Sequence, residues 1–159
     1  NDEAARAADI VVLTVPYSAH RATLEGVKEY VEGKILVDVT VPLQPPQVRI
    51  VHVPEGKAAC LEAQSYLGDG VRVVAAFQNI SAEKLKNPET NVNCDVLVCG
   101  DDDDAKQQTI KLVEAAGMRG IDAGPLANAV AAEALTPVLL YINRAYKVKG
   151  AGVRITNLD

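Results

Sequence analysis

The amino-acid sequence predicts an α/β fold, with a mainly parallel sheet and flanking helices. Three observations carry this. Runs such as "DIVVLTVP" and "KILVDVTVP" are apolar at consecutive positions and rich in β-branched residues, as strands buried on both faces are. Helical patterns separate these runs, the alternation that parallel sheets require. At 159 residues, 48% of them hydrophobic, the chain can build one domain around its own core.

The elements follow in order. Residues 2–8 (DEAARAA) read as the last turns of a helix leading into a first strand over 9–16. Ser18 is placed to cap a helix over about 18–31 that ends near Gly33. A second strand covers 34–42, and the Pro-rich stretch 43–57 reads as an excursion from the sheet. A helix over 57–68 is closed by Gly68. The third strand is "VRVVAAF" (71–77), followed by a short helix over 81–87 started by Ser81. The fourth strand is "CDVLVCG" (94–100), and 102–117 is an amphipathic helix with Ile110, Leu112, Val113 and Ala116 on its apolar side. "RGIDAG" (119–124) is a short fifth strand, and 126–147 is a long, mostly apolar helix, either core or a dimer surface. "GVRITN" (152–157) is a closing strand or an extended tail.

Composition excludes several classes. The formal charge is −5, with no basic stripe to neutralise phosphates, so nucleic acid is not expected as a partner. No apolar run approaches the ~20 residues that span a bilayer, and no signal peptide is visible. Three cysteines do not make a disulfide framework. Cys94 and Cys99 flank one strand and, five apart, face opposite sides of it; all three read as small core residues of a reducing cytoplasm. The four aspartates of "GDDDDAK" lack the spacing of a calcium loop and read as a helix start, one capping and the others complementing the dipole. No metal site is expected. The chain opens at Asn1, without Met, and enters an interior strand by residue 9, which predicts a segment upstream.

In open α/β sheets ligands bind outside the carboxyl ends of the strands. The residues expected there are Thr14, Val15, Pro16 and Tyr17; Asp38, Thr40 and Pro42; Gln78, Asn79 and Ile80; Gly100 and Asp101; Asp122, Gly124 and Pro125. This edge offers hydroxyls and amides but no strong nucleophile–base pair. Neither His20 nor His52 has an evident partner, His20 reads as solvent-facing, and no serine sits on a GxSxG elbow. That fits a reaction whose hard chemistry belongs to cofactors. No GxGxxG occurs in these residues; "GDGVRV" precedes a strand and cannot open a helix onto a pyrophosphate.

"ADIVVLTVP", "VVAAFQNISA", "CDVLVCGDDDDAK", "IDAGPLANA" and "EALTPVLLYINR" together, in this order, resemble the NADPH-dependent coenzyme F420 reductases (F420H2:NADP oxidoreductases) over nearly the whole chain. The resemblance implies a Rossmann-like fold, a cytoplasmic homodimer, and reversible hydride transfer between C4 of the nicotinamide of NADP(H) and C5 of the deazaflavin F420. It also implies that 1–159 is a single α/β domain, the C-terminal part of a dinucleotide-binding fold from the family's fourth strand onward, without the glycine-rich N-terminal half.

Residue by residue, Thr14, Val15 and Pro16 match the loop along the ribose and nicotinamide, and Thr40 lies at the next strand end. Gln78 and Ile80 match the segment facing the deazaflavin, and Thr136 matches a hydroxyl near the same ring. No residue is assigned a catalytic proton. Some members carry His at Gln78, Arg near Val130 and Ser at Ala134; Gln hydrogen-bonds but carries no proton charge. The residues also allow plainer roles: Gln78 and Asn79 satisfying strand-end backbone groups, Thr136 bonding back to a carbonyl beside Pro137. Two other functions stay open, a related NADP-dependent flavin or metal reductase and a non-catalytic dimerisation module.

Overall fold

The computed structural model describes residues 1–86 and 92–158. Five strands form one sheet in sequence order: β1 (Ile10–Leu13), β2 (Ile35–Asp38), β3 (Arg72–Ala75), β4 (Asp95–Gly100) and β5 (Arg119–Asp122). The helices are α1 (Asp2–Ala7), α2 (Tyr17–Val27), α3 (Ala59–Leu67), α4 (Ala82–Leu85), α5 (Asp103–Ala115) and α6 (Ala129–Ala145). Asn87, the last residue of the expected 81–87 helix, lies outside the described residues.

The sheet separates two apolar clusters. Leu13, Leu24, Leu36, Val73, Cys60 and Cys99 belong to one; Ile35, Val37, Val74, Cys94, Val96 and Val113 belong to the other. Cys94 and Cys99 do fall on opposite faces, as strand alternation requires. Strand β2 is buried along its whole length, which explains its unbroken apolar sequence. Strand β1 pairs only with β2 among the described residues, and Val12 on it is 41% exposed.

Strand direction departs from the expectation in a way that matters for the site. Strands β1, β2 and β3 are mutually parallel, but β4 runs antiparallel to β3, with Val74 opposite Gly100 and Ala75 opposite Cys99. Strand β5 is parallel to β4 and is therefore reversed too. A parallel return needs a crossover that carries the chain back along the sheet. The helix in this link, α4, has four residues and a length of only about 6 Å. Gly100, Asp101, Asp122, Gly124 and Pro125 consequently emerge at the opposite edge from Thr14, Thr40 and Gln78, and drop out of the expected ligand edge. The position of Arg72 agrees: at the start of β3, its Nη1 lies 3.2 Å from Asp104 and 3.7 Å from Asp102.

Helix starts show the local chemistry. Asp102 caps α5 by accepting from the Ala105 N–H at 2.7 Å, and Asp103 and Asp104 fill the first turn. Asp101 instead accepts from the Leu126 N–H at 2.9 Å, and Lys106 lies between Asp103 (3.1 Å) and Asp122 (2.9 Å). Ser18 is not a cap: α2 starts one residue earlier, behind Pro16, whose fixed φ already suits a helix entry. The buried residues of α5 are Ala105, Lys106, Thr109 and Val113; Leu112 and Ala116, expected on its apolar side, line a cavity described below.

The helical stretch Leu126–Ala145 has 20 residues and a mean hydropathy of 1.3, so one run does reach bilayer-spanning length and apolarity. Its inward residues Ala129, Ala132, Glu133, Pro137 and Leu139 pack inside the protein. Residues 152–155 are an irregular tail outside the sheet, joined to β4 through the Asp95 N–H and the Val153 carbonyl (2.7 Å), and 156–157 form a turn with Asn157 at φ +63°.

Candidate functional site

Two adjoining cavities open at the carboxyl edge of β1–β3. The larger, about 460 Å³, is walled by Val12, Thr14, Val39, Phe77, Gln78, Ile80, Leu85, Leu112 and Ala116. The smaller, about 280 Å³, is walled by Leu43, Gln78, Asn79, Ile80, Thr136, Leu139, Leu140 and Asn143, with Gly150 and Ala151 of the tail. Gln78 and Ile80 line both. The structure therefore brings Thr14, Gln78, Ile80 and Thr136 to one place. Val15 lies on the other side of its strand, by Leu13 and Val27 in a 130 Å³ cleft. Pro16 is exposed ahead of α2, and Thr40 is buried behind the edge, with its N–H on Asp38 Oδ1 at 2.9 Å.

The 77–80 turn is held from both sides. Gln78 Nε2 donates to the Asp38 carbonyl at 2.8 Å. The Thr136 hydroxyl donates to the Gln78 carbonyl at 2.7 Å. Asn79 Nδ2 donates to the Ala132 carbonyl (2.8 Å) and to Thr136 Oγ1 (3.1 Å). Asn79 is thus a structural clasp between turn and helix. Thr136 does not bond back along its own helix; it ties α6 to the turn. Phe77 sits at φ +69°, a left-handed conformation that costs a non-glycine residue about 1–2 kcal/mol. Such strain gathers where a surrounding structure fixes a site.

One atom in this turn is left over. Gln78 is 5% exposed, and its Oε1 has no hydrogen-bond partner among the described residues. An unpaired buried acceptor costs about 1–3 kcal/mol. The residue that carries it lines both cavities, so a ligand donor reaching the oxygen would pair it. The larger cavity is otherwise walled mainly by aliphatic and aromatic side chains, which suits a flat ring with few polar edges.

Behind the edge lies a second polar group that sequence reasoning missed. His20 is 3% exposed, not solvent-facing, and its Nε2 lies 2.7 Å from Asp38 Oδ2. Asp38 thereby joins α2, Thr40 and Gln78 at the end of β2. His52 also has a partner, Gln44 Nε2 at 2.9 Å, in an exposed setting. Glu133, 2% exposed, reaches from α6 to the start of α3, accepting from the Ala59 N–H at 2.7 Å and the Cys60 N–H at 3.1 Å. Burial raises its carboxyl to about 7 against the pull of those donors. Burial also raises all three thiols, Cys99 to about 11, so none is poised as a nucleophile. Tyr17 is raised to about 12 by burial and by Glu62, to which its hydroxyl donates at 2.9 Å.

Comparisons with known proteins identify the family. A family model described as NADP oxidoreductase coenzyme F420-dependent matches residues 1–42. An F420-dependent NADP reductase of Methanocaldococcus jannaschii is 40% identical over 164 residues, covering 100% of this chain and 73% of the relative. One from Methanothermobacter marburgensis is 42% identical over 163 residues, covering 99% and 73%. The solved structure of a candidate F420-dependent NADP reductase from Arthrobacter sp. FB24 superimposes with a TM-score of 0.82 at 25% identity, over 96% of this chain and 71% of that one. Identity at this level over this share of the relatives' length means that the chain belongs to the F420-dependent NADP reductase family.

Proposed function

We propose that this chain is part of an oxidoreductase that passes a hydride between NADP(H) and coenzyme F420 at the junction of the two cavities. The observation that carries the reading is Gln78, which lines both cavities and whose buried Oε1 has no partner among the described residues, beside a larger cavity walled mainly by apolar side chains. The bound cofactor pair supplies the redox chemistry, hydride exchange between nicotinamide C4 and deazaflavin C5.

The protein's part is to orient and to exclude water. Thr14, with Val15 and Pro16 behind it, forms the nicotinamide and ribose side. Thr40 stiffens that side through Asp38. Gln78 Oε1 accepts a hydrogen bond from a ring or amide N–H, and Ile80 and the Thr136 region face the deazaflavin. Val12, Val39, Phe77 and Leu112 keep the larger cavity dry. None of the residues assigned here carries a proton to the ligand. Family membership favours this reading over a flavin or metal reductase, and over a non-catalytic module.

The same reading treats 1–159 as one domain, the carboxyl part of a dinucleotide-binding fold, and assigns the pyrophosphate to none of its residues. It places the protein in the cytoplasm, supported by three free cysteines, and makes it a homodimer through α6, where Val138 and Tyr141 are 40% and 60% exposed. The test is to mix the full-length protein with NADPH and oxidised F420 and follow the visible absorbance of F420. Rapid loss is expected, with FAD and FMN turned over far more slowly. Equal turnover of FAD or FMN would move the assignment to the flavin-linked class.

A further inference from the structure

The C-terminal tail has an unusual anchor. It forms no helix and no strand, and most of its residues are exposed or half-buried. What holds it is polar. Asp95, the first residue of β4, is 1% exposed and makes a two-pronged pair with Arg119, Nε to Oδ1 and Nη2 to Oδ2, both at 2.8 Å. Further hydrogen bonds of this pair turn outward to the tail. Asp95 Oδ2 accepts from the Ile155 N–H at 2.6 Å, and the Asp95 N–H donates to the Val153 carbonyl at 2.7 Å. Arg119 donates to the Ile155 carbonyl at 2.9 Å and to the Leu158 carbonyl.

Further along, the Ala151 N–H donates to Asn143 Oδ1 at 2.9 Å. The tail backbone also lies tight on β4: a Cβ added at Gly152 would meet Cys94 Cβ at 2.7 Å. Gly150 and Ala151, just before this tight point, form part of the wall of the 280 Å³ cavity, together with Gln78, Ile80 and Thr136.

In this pair Asp95 is buried while the Arg119 side chain is 35% exposed, and burying the carboxylate has a desolvation cost that an apolar residue avoids. Here the pair's hydrogen bonds fix one segment, and the residues just before it line one ligand cavity. We propose that Gly150 and Ala151 are a fixed wall of the F420 cavity, and that Asp95 and Arg119 are positioning residues that hold this wall in place by anchoring residues 153–155 behind it. The proposal rests on the assignment of that cavity to F420.

Two variants of the full-length protein test it. Gly152→Val lifts the tail off Cys94 without touching the ion pair. Arg119→Lys keeps a cation beside Asp95 but gives up the fork that reaches the Ile155 and Leu158 carbonyls. In each, the KM for F420 is expected to rise about tenfold while kcat and the KM for NADPH stay within about twofold, the pattern of lost acceptor binding. Amide exchange at Ile155 should quicken in both variants, and in the wild type F420 should slow it. An unchanged KM for F420 with the Ile155 amide released overturns the proposal, as does a raised KM with that amide still protected. Failure of the wild type to reduce F420 at all overturns the functional reading, and the tail proposal with it.

Discussion

Replacing Gln78 by methionine separates a structural role from a ligand-binding one. The side chain is 5% exposed and makes one protein hydrogen bond, Nε2 to the Asp38 carbonyl. Loss of that bond costs about 1 kcal/mol. The Asp38 carbonyl is not orphaned, because it also accepts from the Ala76 N–H at 3.3 Å. Against this, Met removes the unpartnered Oε1, whose burial costs about 1–3 kcal/mol. Met is close in volume and flexible enough to fill the same space. The two effects oppose each other, so the free variant should be as stable as the wild type or up to about 2 kcal/mol more stable in urea denaturation. Catalysis should move the other way. One lost ligand hydrogen bond of about 1.4 kcal/mol lowers kcat/KM with F420 and NADPH about tenfold. A variant more than about 3 kcal/mol less stable, with unchanged kcat/KM, would refute the reasoning and make Gln78 a strand-end brace.

Two further outcomes follow from buried and capping carboxylates. Glu133 has its folded pKa raised from 4.5 to about 7, so its contribution is fully present below pH 4.5 and is lost as pH rises toward 7; the change is about 3 kcal/mol. The difference in urea stability between wild type and Glu133→Gln should therefore shift by that amount between pH 4.5 and 7.5, and a flat difference would show that the carboxyl titrates normally. Asp102→Ala removes the cap on the Ala105 N–H and should cost about 1 kcal/mol by the same denaturation assay, with activity unchanged, because α5 starts at the edge away from the cavities; a loss of activity at full stability would contradict that placement.

Much of the fold was legible because burial on both faces leaves a plain mark on β2 and β3; β1 stands where its β-branched run put it, but it is only partly buried, with Val12 41% exposed. Strand direction was not legible, since "CDVLVCG" reads the same whichever way it enters the sheet. The reversal of β4 moved Gly100, Asp122 and their neighbours to the far edge. Gln78, Ile80 and Thr136, distant in sequence, line one cavity. Phe77, Leu112 and the tail residues Gly150 and Ala151 carried no such signal, because a cavity wall looks like core or loop in sequence. The His20–Asp38 pair was hidden for another reason: its members are 18 residues apart and meet only when α2 packs over the end of β2. Glu133 similarly sits in an apolar run whose partner amides lie 73 and 74 residues earlier.

The central claim is direct hydride transfer between two cofactors held in this site. Its most direct test uses NADPH carrying deuterium at the transferring C4 position, oxidised F420 and the full-length protein. One deuterium is expected at C5 of the reduced deazaflavin, located by NMR and mass spectrometry, with none lost to water. Reduced F420 that lacks this deuterium, or no reduction of F420, would contradict it.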